Sequence, residues 1–406
     1  MKIEQSEASI RAASYPKLNE KMKIAVIATD NREPFRRYAD TMPTFGQGTT
    51  SFFEGLALLP DVEVHVVTCT QRPFPASPEK LAPNIWFHSL HVPIIGWLRT
   101  LYQGCIRATR KKLKEIQPDI VHGWGTERDC AISAIFSGFP NVVTIQGNMA
   151  ELARLSPPRM GSYAWLAAGL ENFTLPRTCG VFCNSHYTES LVRPRARKTW
   201  LVAHALRNPF FERVPDANPR PCVLLNAGVI MPRKRQLELL DVAEKLHKRG
   251  LKFEMRFIGF TSPSPYVAAF LEKIKPLEAS GCARFLGAQP DSGLVGCYDA
   301  VAAVVHFPTE EAFGNVVAES LARNLKFFGA AVGGIVDITT GIEGAELFAA
   351  QDFSGLEAAI ARWIEAGGPR PVSAAAVMRE RYHPEVIARR HLEIYRELLA
   401  RQPVVS

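Results

Sequence analysis

The chain has 406 residues, 47% of them apolar and 22% charged, with a net charge of +8. At roughly 150 residues per domain that length suggests two or three domains, and the composition is ordinary for a globular enzyme. A membrane-spanning helix is excluded, because no apolar run approaches the ~18 to 20 residues a span needs; the nearest, VPIIGWL at 92–98, is far too short.

Residues 1–21 read as a polar extension without the apolar core of a secretory signal. A buried strand is predicted at KIAVIAT (23–29). VEVHVVT (62–68) alternates apolar and polar residues and reads as a second strand. Short β-branched runs ending in turn residues follow at DIVHGWG (119–125), VVTIQG (142–147) and GVFCNS (180–185), with helix-like segments between them. PDANPRP (215–221) reads as a linker, after which the pattern restarts. CVLLNAG (222–228) is a new first strand. A helix at 236–250 carries Leu239, Val242, Ala243 and Leu246 on one face, with Gly250 as its stop. KFEMRFIG (252–259), AVAAVVHFP (300–308) and KFFGA (326–330) are further strands. This alternation predicts an α/β chain of two similar units, each a parallel sheet with helices on both faces. Ligands of open sheets bind beyond the carboxyl ends of the strands, so two units facing each other would form a cleft between those loops.

Three strand-end loops carry chemistry. In PTEEAFGNVVAESLARN (308–324), Glu311 and Glu319 stand seven residues apart across a Phe-Gly turn, with Asn315 at the start of a helix. A helix N-terminus attracts phosphate, and carboxylates set back from it can accept hydrogen bonds from hydroxyls. The pattern suits a phosphate flanked by diols, as in a sugar nucleotide; by spacing alone, an ordinary surface helix remains the simpler reading. In NAGVIMPRKRQLELL (226–240), Arg233, Lys234 and Arg235 could neutralise a departing diphosphate without a metal, and a basic surface turn fits equally well. In PTFGQGTTSFFEGLALL (43–59), Gly46 and Gly48 let the backbone approach a ligand, but neither the dinucleotide fingerprint nor a P-loop lysine is present. The basic clusters at 107–115 and 193–198 fit a solvated helix face or an anionic surface. None of the eight cysteines forms a C-x-x-C pair, as expected of buried free thiols in a reducing cytosol. No His, Cys and carboxylate cluster has zinc spacing.

Taken in order, these motifs resemble the retaining glycosyltransferases of family 4 (glycosyl transferases group 1). EAFGNVVAESLARN resembles the family's E-x7-E signature, AVGGIVDI (331–338) is similar to the loop that follows it, and RFLGAQPDSGLVGCYDAVAAVVHFP (284–308) to the segment that leads into it. HLEIYRELL (391–399) resembles the final helix that crosses back onto the first domain. The resemblance covers nearly all of 23–399. It implies the GT-B fold, with two Rossmann-like domains facing across a cleft: an acceptor domain at 22–207 completed by a helix at 385–401, and a nucleotide-sugar domain at 208–384.

By position, the resemblance assigns Glu311 to the donor sugar's hydroxyls, Glu319 to the ribose diol and Lys234 to the diphosphate, with Arg233 or Arg235 supplying a guanidinium. Gly48, Gly314 and Asn315 would lie near the phosphates, Gly333 and Gly334 behind the sugar, and Gly287 near the base. There are departures. Gln47 replaces a glycine, Val229 an arginine, and Ala203 and His204 a Pro-Asn pair. Asp337 stands where Glu is usual, and Gln146 where a histidine contacts the donor sugar. Gln146 can hydrogen-bond but cannot transfer protons. Acceptor-side candidates are Gly46, His122, Arg32 and Arg36. No obvious nucleophilic carboxylate is evident on that side, which favours substitution on one face of the sugar. The expected function is transfer of a sugar, with retention and without a metal or other cofactor, from a nucleotide-diphosphate sugar to a glycan, lipid-linked or small-molecule acceptor. The expected setting is the cytoplasm, with peripheral contact to an anionic inner membrane face and no nucleic-acid partner. The alternatives are a non-catalytic nucleotide-sugar-binding scaffold and a GT-B-like epimerase.

Overall fold

The computed structural model describes residues 21–212 and 222–401; the predicted extension up to residue 20 and the linker at 215–221 lie outside them. The first half runs β1 (Met22–Ile27), α1 (Gln47–Ala57), β2 (Val62–Thr70), β3 (Lys80–Ala82), β4 (Ile85–His91), α2 (Gln103–Ile116) and β5 (Ile120–Trp124). It continues with α3 (Asp129–Ile135), β6 (Asn141–Thr144), α4 (Met149–Leu155), α5 (Tyr163–Thr174), β7 (Val181–Cys183), α6 (His186–Val192) and β8 (Thr199–Leu201). The second half begins with β9 (Val223–Ala227), α7 (Gln236–Lys248), β10 (Glu254–Ile258), α8 (Pro265–Ala279), β11 (Ala283–Phe285), α9 (Asp291–Asp299) and β12 (Ala303–His306). It closes with α10 (Asn315–Ala322), β13 (Lys326–Ala330), α11 (Gly334–Thr339), β14 (Ala345–Phe348), α12 (Phe353–Glu365), α13 (Ala374–Tyr382) and α14 (Pro384–Ala400).

The strands form two sheets. One has the order β3-β4-β2-β1-β5-β6-β7-β8 and the other β11-β10-β9-β12-β13-β14. Every pair is parallel except β3 with β4. Central strands are covered on both faces, so β1, β5, β9 and β12 are near-continuous buried runs. The alternation read at 62–68 is not a half-exposed strand: β2 is buried almost throughout, His65 included. The chain passes between the two cores just after β8. Val202 and Ala205 pack in the first, Leu206, Phe210 and Phe211 in the second.

The last helix returns to the first sheet. Ile387, Leu392, Tyr395 and Leu398 of α14 pack with Phe52, Leu56 and Val26 in one core. The crossing of α14 over α1 is set by Gly55, where a Cβ would lie 2.1 Å from the Pro384 carbonyl oxygen. Gly55→Val should therefore push α14 off its seat and lower the thermal midpoint by several degrees, which calorimetry would read; an unchanged midpoint would show that the crossing is not tight.

His391 of α14 stacks on Phe182 and packs at a tilt on Phe52, each at a ring separation of 4.6 Å. Burial lowers its pKa to about 4, and burial does the same for His204. Both rings are neutral in the fold and protonate more readily once unfolded. Their stabilisation is complete above pH ~6.5 and is lost as pH falls from there towards about 4, on the order of 3 kcal/mol each. The melting temperature should fall over that window, and His391→Phe should flatten part of the slope.

Candidate active site between the two sheets

The loop after β12 and the loop after β9 meet at Glu311. Lys234 Nζ donates to Glu311 Oε2 at 2.5 Å, and His306 Nε2 lies 2.9 Å from the same oxygen. Arg233 pairs with Glu310 at 2.7 Å. Burial alone would raise the Glu311 pKa, but the His306 hydrogen bond and the Lys234 charge outweigh it and hold the carboxyl well below the usual range. Burial, followed by the Lys234 charge, keeps His306 neutral, so its Nε2–H donates to the carboxylate. Its Nδ1 is buried without a hydrogen-bond partner. Sequence reading missed His306; the signal was a lone polar residue closing an apolar strand.

The glycines around Glu311 are required by space. A Cβ on Gly333, which has φ +52°, would lie 1.9 Å from the Glu311 carbonyl oxygen, and Gly334 N–H donates to that oxygen at 3.0 Å. Gly314, with φ +103°, ends the loop and starts α10. On the buried face of α10, Glu319 accepts from the Tyr298 hydroxyl at 2.6 Å, which fixes its carboxylate. Gly287 lies beyond β11, its carbonyl accepting from Gly259 N–H, so the loops after β10 and β11 lie side by side.

The N-termini of α1 and α10 face each other. Asn315 Nδ2 donates to Gln47 Oε1 across the cleft at 3.4 Å. Gly48 is buried beside the His204 ring, which also packs on Phe313, 5.3 Å between ring centres. Two of the departures, Gln47 and His204, thus serve the contact between the halves, and Gly46 lies exposed at its edge. A second contact is made by α6: Ser185 Oγ donates to the Ala312 carbonyl at 2.5 Å, and His186 N–H to Asp337 Oδ2 at 2.6 Å. Asp337 is therefore a carboxylate at the N-terminus of α6, where the shorter side chain reaches the amide directly.

Gln146 lies beyond β6, with its Nε2 buried and unpartnered by protein. Beside it stands Glu127, accepting from Gly147 N–H at 2.9 Å. Burial, opposed by backbone hydrogen bonds and reinforced by the Glu171 charge, raises the Glu127 pKa. Glu127 is thus a carboxylate on the acceptor side, held by a backbone amide. Val229 is 43% exposed and brings no charge; Arg233 is the guanidinium beside the Glu311 cluster.

Three candidates do not join the site. His122 is fully buried in the middle of β5, its Nδ1 and Nε2 bonded to the Tyr395 and Thr144 hydroxyls, because α14 covers that face of the sheet. Arg32 is fully buried and binds Asp30 and the carbonyls of Asp40 and Thr41, with Phe74 under its guanidinium. It holds its own loop. Arg235 turns away to the Ala350 carbonyl and the Phe353 ring; with φ +55° it is the residue from which α7 starts. Arg36 is exposed on the loop after β1.

Among the described residues one trio of potential metal donors, Cys69, Cys105 and Asp129, comes together within 4.8 Å. It lies buried beneath α2 and α3. The hydrogen bond to Cys69, then burial, raises the Cys105 thiol, and burial raises the Asp129 carboxyl. The Cys105 thiol is held protonated, which suits packing.

Two family models match the sequence: Glycosyltransferase Family 4 over residues 54–201 and Glycosyl transferases group 1 over residues 208–380. The chain belongs to the family 4 (group 1) glycosyltransferases. Comparison with curated proteins returns no match. Solved structures place the glycosyltransferase in the GT-B fold. It is similar to sucrose-phosphate synthase from Thermosynechococcus elongatus, with TM-score 0.72 and 17% identity over 94% of this chain and 100% of that one. It is also similar to Anabaena HepE in complex with UDP and glucose, with TM-score 0.65 and 15% identity over 92% and 99%. The lipopolysaccharide outer core galactosyltransferase WaaB is similar at TM-score 0.65 and 15% identity, over 93% and 100%. No helix among the described residues is long and apolar enough to cross a membrane.

Proposed function

We propose that this glycosyltransferase transfers a sugar, with retention and without a metal, from a nucleoside diphosphate sugar to an acceptor bound against the first sheet. The observation that carries the reading is the Lys234–Glu311–His306 cluster, set beside the N-terminus of α10. Donor binding draws Lys234 from Glu311 onto the diphosphate, with Arg233 and the α10 amides adding positive potential. Glu311, relieved of the lysine and still oriented by His306, accepts from the sugar hydroxyls. Glu319, fixed by Tyr298, accepts from the ribose diol. The acceptor oxygen bonds to the anomeric carbon as the bond to the phosphate oxygen breaks. The electron pair leaves with the diphosphate, which takes the acceptor's proton on the same face. The contacts from α6 and Gln47 support a closed arrangement that keeps water out.

The complexes of HepE with UDP and with UDP-glucose make UDP-sugars the first donors to try. Thermal stabilisation across UDP-, GDP- and ADP-sugars should show one nucleotide class raising the midpoint of wild type but not of Glu319→Ala. Stabilisation without sugar transfer would instead favour the scaffold reading, and product formed without acceptor the epimerase. We also propose a cytoplasmic setting with peripheral membrane contact, supported by Ile94 and Ile95, 69% and 71% exposed, near the exposed cations Arg107, Arg110, Lys111 and Lys114 of α2.

A further inference from the structure

The first half carries a groove that the transfer site does not use. It lies between α4 and α5, has a volume of about 750 Å³, and is lined by Leu101, Phe136, Ala153, Trp165, Leu170 and Phe173 among others. Gln103, Arg154 and Asn172 are the polar groups at its edges. The size is that of a small-ligand site, yet Phe136, Trp165 and Phe173 stand 41%, 47% and 37% exposed. Leaving so much clustered aromatic surface in water is unfavourable unless something covers it.

The walls are preset. Glu171 of α5 is fully buried and accepts from the Met149 and Ala150 amides at the start of α4, from Thr126 Oγ1 and from Arg195. One carboxylate therefore fixes the angle between α4 and α5. The same helix joins the groove to the transfer site. The residue before α4, Asn148, donates to Thr188 Oγ1, which in turn faces the Ala312 carbonyl beside Glu311, while Ala150, Ala153 and Arg154 of α4 line the groove. Leu101 and Gln103, at the opposite lip, lead into the exposed cationic face of α2.

We infer that the groove holds the apolar chain of an amphiphilic, anionic acceptor whose head lies in the cleft at Gln146 and Glu127. This rests on the transferase reading and names the acceptor class for it. An apolar groove walled by the helix that follows the acceptor loop, with Arg154 at its edge and the exposed cations of α2 beside it, matches that chemistry: an apolar chain with a polar, negative head.

The test is binding of monomeric octyl, decyl and dodecyl phosphate, each below its micelle limit, by titration calorimetry. Affinity should rise roughly tenfold for each two added carbons until the groove is full. Gly169→Phe blocks the groove from within, since a Cβ there meets nothing within 4 Å and the backbone is helical. That variant should lose the chain-length dependence while keeping the wild-type melting temperature and donor-induced stabilisation. Equal affinity for all three phosphates in wild type would overturn the inference, as would unchanged binding in Gly169→Phe. So would saturation by phosphatidylglycerol vesicles with no binding of the monomers, which would make the surface a leaflet contact. Chain binding without any donor-induced stabilisation would sink the donor reading and leave the groove standing.

Discussion

Glu311→Gln should lower turnover by about 10²- to 10³-fold while the protein stays folded. The amide keeps an oxygen for His306 and Lys234, so the geometry of the pair survives; what is lost is the charge. Removing one oriented electrostatic group from a site that stabilises developing charge has effects of that size. Lys234→Ala should cost a similar factor, for the opposite reason, because the leaving diphosphate loses its nearest cation. The two residues share one hydrogen bond, so the double variant should fall well short of the product of the single losses. Release of nucleoside diphosphate, with wild type and the three variants side by side, measures this. Full additivity would mean that Glu311 and Lys234 act on separate steps, and an unchanged rate in Glu311→Gln would remove it from the mechanism.

Gly333→Ala should be more damaging to structure than either. The new methyl cannot coexist with the Glu311 carbonyl oxygen 1.9 Å away, and the φ of +52° is itself strained for alanine. The loop must move, and Glu311 moves with it. A loss of at least about 3 kcal/mol is expected, together with loss of donor-induced stabilisation. Gly367→Ala is the control. It also sits at positive φ, +81°, but a Cβ there meets nothing within 4 Å, so only the strain is incurred. Equal melting temperatures for the two variants would show that the contact with Glu311 is not the cause.

Much of this was legible in the sequence. The central strands β1, β9 and β12 announced themselves as apolar runs, because a strand covered on two faces has few polar positions to show. The seven-residue β4 was not read, since His88, Ser89 and His91 interrupt its apolar pattern, and neither were the short strands β3, β8, β11 and β14. At three or four residues each, they have too little pattern to separate from a loop, and they exist because a neighbouring strand offers its edge. In the site, the loop residues that must be glycine could be found from motif order. The residues that depend on what lies opposite them could not. His122, in mid-strand, and Arg32, in the loop after β1, are polar residues indistinguishable by pattern from cleft residues. Only the arrival of α14, and of the Phe74 loop, buries them. Glu127 is the reverse case: an unremarked acid in a loop that packing brings beside Gln146. The departures at Gln47 and His204 occupy a shared contact between the halves.

The crossing of α14 over α1 also has a consequence for biosynthesis. A nascent chain has all of β1 to β8 outside the ribosome long before the helix that completes their core. At ~5–20 residues per second the delay is on the order of 10–40 s. Throughout it, the apolar face of α1 that receives α14, with Phe52 and Leu56, is uncovered. The second sheet can finish first, since its core draws nothing from residues made later than α13. The natural order of assembly is then the reverse of the order of synthesis, and the waiting face of α1 is where a holding chaperone would bind.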